Sequence, residues 1–287
     1  MKTISVAHSP DADDIFMYYA IKFGWVRAKD AKFDNIAADI ETLNQATLKG
    51  EYDICAISFA LYPFVKDDYA LLRTAVSFGE GYGPKLIKKI GTKLKRNFKV
   101  ALSGEFTTNA LLFKIAYPEA RISYMNFLEI EEAVLNGTVD AGVLIHESIL
   151  NYNEKLEVEK EIWDIWVELS GGGLPLPLGG MCLRRSIPLH SAIDYENTLI
   201  KAVEVANKNR HVLAPMLIEK GLIRVNAATL DKYLDLYAND DSVKMSDIQY
   251  KALDKLYELG YKNGFYENLI KSKEFLIPSE YEELRAR

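Results

Sequence analysis

The chain has 287 residues, about half of them apolar and about a quarter charged. That is enough for one large domain or two lobes with separate cores, and too apolar for a disordered chain. Its formal charge of −6 argues against nucleic acid or an anionic membrane surface as partner, since proteins that bind those present a basic face.

From the N-terminus, Met1 to Val6 alternates as a first strand, and "ISVA" is interrupted at once by His8 and Asp11. No stretch there is apolar for long enough to be a leader or a spanning helix, so a cytoplasmic protein without membrane insertion is expected. "SPDADDIF" follows. Ser9 reads as an N-cap with Pro10 at the first helical position. Ile15, Phe16, Tyr19, Ala20 and Phe23 recur on one helix face, and Gly24 ends it. Asp11, Asp13 and Asp14 then fall in or beside the first turn, where carboxylates complement the helix dipole. A metal site or a phosphatase nucleophile are the competing readings. The phosphatase is disfavoured because Ser9 and Pro10 separate Asp11 from the strand, and because the later pair Asp240 and Asp241 follows a helical stretch. No His or Cys stands at ligand spacing to the cluster, so no metal is expected.

The chain repeats itself. "VAHSPDADDIFMYYAI" from Val6 matches "VALSGEFTTNALLFKI" from Val100, and "ATLKGEYDICAISF" from Ala46 matches "AVLNGTVDAGVLIH" from Ala133. In the second pair a helix end is followed by Gly50 or Gly137 in the left-handed cap, then Asp53 or Asp140, then a buried strand. Each half therefore opens with the same strand, helix and strand unit. Cys55 and Cys182, each inside an apolar segment, read as reduced core residues. After "SGGGLPLPLGG" the chain becomes mostly helical, and "SDIQ" at Ser246 is a capping box for a helix running toward Gly260. The expectation is an α/β protein of two lobes: residues 1–92 and 185–287 form lobe one, the larger, and 93–184 form lobe two. The ligand would bind between them at the carboxyl ends of the strands. Ser9, Asp11, Asp14 and Ser58 would face the cleft from lobe one, and Ser103, Thr107, Thr108 and His146 from lobe two. The helix start in "SGEFTTN" lacks a carboxylate cluster, so an anionic group would bind there; Thr107 and Thr108 could equally serve only as caps. His146, after the apolar run "AGVLI", is either a structural hydrogen-bonding residue or a catalyst.

In order along nearly the whole chain, these residues resemble the menaquinone biosynthesis family of the futalosine route. Ser9, Pro10, Asp14 and Phe16 fit its N-terminal pattern of Ser, Pro, Cys, Pro, Asn, Asp, Thr, Phe, while Asp11, Ala12, Asp13 and Ile15 depart from it. Asp39, Leu43, Asn44, Gly50, Tyr52, Asp53 and Ser58 match a second stretch. "GYGP" from Gly81, the Thr107 and Thr108 pair, "IHE" from Ile145, Tyr152 and, most specifically, "GLPLPLGG" from Gly173 follow. The resemblance implies a two-lobed periplasmic-binding-protein-like (type 2) fold with the ligand cleft between the lobes. It implies a carbon-carbon lyase, without metal or organic cofactor, that converts cyclic dehypoxanthine futalosine into 1,4-dihydroxy-6-naphthoate. His146 would be the general base, Thr107 and Thr108 would hold the substrate carboxylate, Asp14, Asn44 and Ser58 would orient its hydroxyl-rich part, and Tyr152 would close over it. The alternatives are a chorismate dehydratase of the same route and a non-catalytic solute-binding protein. A small anionic substrate is the expected partner; oligomeric state is not legible.

Overall fold

The computed structural model describes residues 2–223, 225–238 and 242–278; Asp240 and Asp241 lie outside them. The chain opens with β1 (Lys2–His8), α1 (Ala12–Lys22), β2 (Ala31–Ala37), α2 (Ile40–Leu48) and β3 (Ile54–Ser58). A short α3 (Tyr62–Val65), β4 (Tyr69–Leu71) and β5 (Ser77–Gly79) complete this stretch. The second lobe holds β6 (Lys85–Lys89), β7 (Lys99–Leu102), α4 (Thr108–Ala116), β8 (Arg121–Tyr124), α5 (Ile130–Asn136), β9 (Ala141–Leu144), β10 (Leu156–Glu161) and α6 (Ile162–Ser170). The chain then returns through β11 (Leu176–Arg184) to α7 (Leu189–Lys208), α8 (Arg210–Glu219), α9 (Ala227–Tyr237) and α10 (Asp247–Lys262).

Two sheets result. The first runs β2-β1-β3-β11-β4, with β5 also on β11, and the second runs β10-β6-β9-β7-β8. The internal repeat is visible as register. Val6 and Ala7 pair in parallel with Ile54 and Cys55, and Val100 and Ala101 pair in parallel with Ala141 and Gly142. The repeated aspartate sets this register. Asp53 accepts the amide of Ser5 at 2.9 Å and Asp140 accepts that of Lys99 at 2.7 Å, in each case the residue before the repeated valine. A one-residue slip would break this bond and turn the apolar set away from the core. Gly50 and Gly137 take φ of +68° and +82°, the left-handed turn that ends α2 and α5.

Three expectations are corrected. Helix α1 begins at Ala12 with Asp11 as its N-cap residue, not at Pro10 behind Ser9. β6 already belongs to the second sheet, so the outward crossing lies between β5 and β6, before residue 92. β11, expected to end lobe two, pairs with β3 and β4 in the first sheet, so the return crossing lies between α6 and β11. The two prolines of "GLPLPLGG" disguise that strand, since proline cannot donate to a ladder; Pro177 sits where the pairing with β5 shifts register. The C-terminal helices do return to lobe one, where α7 lies against α1 and α10 against β11. The capping box at Ser246 is formed with Gln249.

Candidate active site

The carboxyl ends of β1, β3 and β9 and the start of α4 converge on a cleft between the lobes. The lobes meet across it. The amide of Ala12 donates to Glu147 Oε1 at 3.2 Å, and that of Phe106 donates to Glu41 Oε2 at 3.4 Å. Gly104 permits the second contact, because a Cβ there would collide with the Glu41 carboxylate.

His146 stands where β9 passes into a 3₁₀ turn, with φ of +54°, a left-handed conformation uncommon outside glycine and asparagine. The turn is held by Ser148 Oγ, which donates to the Ile145 carbonyl at 2.6 Å, and the Phe127 ring packs edge-on to the imidazole at 5.0 Å. His146 Nδ1 lies 2.8 Å from Asp11 Oδ2, and Nε2 is buried with no hydrogen-bond partner among the described residues. Ser9 Oγ donates to the same Asp11 oxygen. Burial alone would depress the imidazole, but the surrounding carboxylates, Asp11 foremost and then Glu147 and Asp13, together raise His146 to about 9. Asp14, whose Oδ2 accepts the Ser9 amide at 2.8 Å, is raised by burial and by Asp11 to about 7. Asp13 is driven well above the carboxylate range by burial and by its neighbours Asp14 and Asp11. The site thus sets a proton-holding carboxyl beside an ion-paired imidazole, an arrangement suited to acid–base chemistry.

The opposite end of the cleft is the start of α4. Thr107 is the N-cap: its Oγ1 accepts the Ala110 amide at 3.3 Å and donates to the Gly104 carbonyl at 3.1 Å. Thr108 Oγ1 bridges the lobes, accepting the Ala60 amide at 3.3 Å and donating to the Leu178 carbonyl at 3.0 Å. Both hydroxyls are engaged. What this end offers an anion is the first backbone amides of α4, which have no intrahelical acceptor, and the positive end of the helix.

Of the residues expected in the site, His146, Asp14, Ser58, Thr107 and Thr108 all line the cleft. Asn44 does not: it is fully buried, with Nδ2 donating to Ser58 Oγ at 3.1 Å and Oδ1 accepting the Ser58 amide at 3.0 Å. It fixes Ser58 from behind. Tyr152 is not part of the cleft wall; its ring lies under Lys85 Nζ at 5.7 Å. The reading of Asp11 as a helix-end charge missed its pairing with His146. It also missed Tyr233 and Tyr237, one turn apart on α9, which wall the cleft beside Asp13. Their i, i+4 spacing on an otherwise amphipathic helix was the available signal.

Two α/β lobes, each opened by the same unit and joined by two crossings, with polar groups converging between them, define the architecture of solute-binding proteins. The periplasmic aliphatic sulphonate binding protein SsuA from Escherichia coli matches with a TM-score of 0.62 at 11% identity, over 96% of this chain and 92% of that one. A ligand-binding component of an ABC-type import system from Staphylococcus aureus gives 0.70 at 12%, over 99% of both chains. Residues 4–262 match the family model described as menaquinone biosynthesis, and the chain belongs to that family. A protein from Streptomyces coelicolor named 1,4-dihydroxy-6-naphtoate synthase is 30% identical over 88% of this chain and 90% of its own length. Its namesake from Thermus thermophilus is 28% identical over 90% and 93%. A solved structure from Archaeoglobus fulgidus superposes with a TM-score of 0.83 at 32% identity, covering 91% of this chain and 98% of that one.

Proposed function

We propose that the chain is a carbon-carbon lyase that converts cyclic dehypoxanthine futalosine into 1,4-dihydroxy-6-naphthoate, with His146 as general base. The observation that carries this reading is the Nε2 atom of His146, buried in the cleft wall without a partner among the described residues while Nδ1 is held by Asp11. Such an imidazole is oriented to take a proton from a bound molecule. The names of the curated relatives give the product, and the substrate is the one the family resemblance implies. Its carboxylate would sit on the α4 amides, and Ser58 and Asp14 would orient the hydroxyl-rich part. A cytoplasmic setting fits Cys55 and Cys182, which face each other across β3 and β11 as free thiols. Incubation with cyclic dehypoxanthine futalosine and, separately, with chorismate, read by mass, tests the assignment. Only the first is expected to be consumed, and turnover of chorismate alone would replace this reading with the dehydratase.

Two further results are expected. Thr107→Asp should keep the cap, since aspartate also caps well, but should weaken substrate binding by placing a negative charge at the anion end; an unchanged titration would remove the carboxylate from α4. Turnover should survive exhaustive chelation, because Asp11 is committed to Ser9 and His146 and Asp14 to the Ser9 amide. A chelator-sensitive rate restored by one divalent ion would return the metal reading of the carboxylate cluster.

A further inference from the structure

We propose that Asp11 is a positioning residue for His146, supplied from the opposite lobe, so that closure of the cleft itself completes the base. The proposal rests on the reading of His146 given above and extends it to a residue outside the family pattern, where cysteine stands in place of Asp11.

Four observations carry it. Asp11 occupies the N-cap position of α1 but makes no side-chain cap bond, although aspartate is among the best residues for that role. Its carboxylate instead points away from its own helix, to His146 Nδ1 at 2.8 Å, with 2% of its side chain exposed. Ser9 Oγ donates to the same oxygen, so the carboxylate is itself held in place. Finally, Asp11 belongs to lobe one and His146 to lobe two, 135 residues apart in the chain, and the pair crosses the cleft beside the contact between the Ala12 amide and Glu147.

The chemical consequence is a fixed tautomer. With Nδ1–H donated to Asp11, the lone pair of the neutral ring is at Nε2, the atom left without a partner among the described residues. In the reaction a substrate C–H proton moves to Nε2 while its electron pair stays with the substrate, and the Asp11 carboxylate, which keeps its hydrogen bond, stabilises the imidazolium formed. With the lobes apart, His146 would be an ordinary imidazole with two rotatable orientations. The other ionisable groups facing it are Asp13 and Asp14 on α1, Glu147 on its own turn, and, farther off on α9, Tyr233 and Tyr237. Among them Asp11 is the one hydrogen-bonded to the ring.

The test uses the full chain and two variants, Asp11→Asn and Asp11→Ala. The His146 ring is followed by nitrogen NMR through a pH titration, with and without 1,4-dihydroxy-6-naphthoate, and kcat and KM are measured separately. The expected result is that both variants titrate at lower pH than the parent and, compared above pH 9 where the ring is neutral in every protein, lose at least tenfold in kcat with KM within about threefold, since a carboxylate that orients a base acts on the chemical step more than on binding. An Asp11→Asn protein with parental kcat, or with His146 titrating as in the parent under both conditions, overturns the proposal. If the parent chain turns over no substrate, the lyase reading fails independently, and the titration alone then decides the pairing.

Discussion

His146→Asn is expected to reduce turnover by about 10²–10⁴-fold, the usual contribution of general-base catalysis, while leaving substrate affinity much closer to the parent value. The choice of asparagine follows from the backbone. His146 sits at φ of +54°, and asparagine enters the left-handed region more readily than most residues. Its amide can also donate to Asp11 in place of Nδ1–H, so the carboxylate does not become a buried charge without a partner. The fold should therefore survive, with a melting temperature near that of the parent above pH 9, where the parent no longer holds the extra proton on the pair. A purely structural histidine would behave in the opposite way, losing melting temperature and retaining rate. Steady-state kinetics and thermal melts on the same preparation separate the two. Near-normal turnover would move the base elsewhere, with Asp14, already raised to about 7, the first to be tested.

What could be read in the sequence was what local physics determines. The repeated strand, helix and strand unit was visible because Gly50 and Gly137 must take the left-handed turn and because Asp53 and Asp140 precede matching apolar runs. The structure shows why the aspartates recur, as each ties its strand to the neighbour's backbone. The capping box at Ser246 was legible for the same local reason. Features that depend on partners far along the chain were not. Nothing within ten residues of Asp11 signals that its carboxylate serves His146 rather than its own helix, and a first-turn aspartate is ordinarily a cap. A substrate role for Asn44 is implied only by the family resemblance; that it spends both amide groups on Ser58 is a fact of tertiary packing. The return crossing is hard to place from sequence because β11 begins in a proline-rich run whose local propensity argues against a strand. Pairing with β3 on one side and β4 and β5 on the other overrides that propensity.

The rate and the stability of the protein should depend on pH with opposite slopes. His146 is raised from its ordinary 6.5 to about 9, so near neutrality the closed site holds an imidazolium paired with Asp11. Only the neutral ring can accept a proton, and two units below its pKa that form is roughly one in a hundred. If His146 is the base, kcat/KM should climb about tenfold per unit well below pH 9 and level off near it, a gain of about 50-fold between pH 7 and 9. Stability runs the other way. A native pKa above the unfolded one means that the folded state binds the proton more tightly, so the stabilisation from His146 is complete below 6.5 and is lost as pH rises through about 9. Asp14, raised from 3.8 to about 7, loses its contribution in the same direction over the lower window. Melting temperature should thus fall as pH is raised from 4 to 9 while the rate increases. The His146→Asn protein should lose the part of the rate profile near 9 and flatten the upper part of the stability curve, leaving the Asp14 portion in place. A rate that instead declines through pH 9 would assign His146⁺ to proton donation, with Asp14 as the base that works against it.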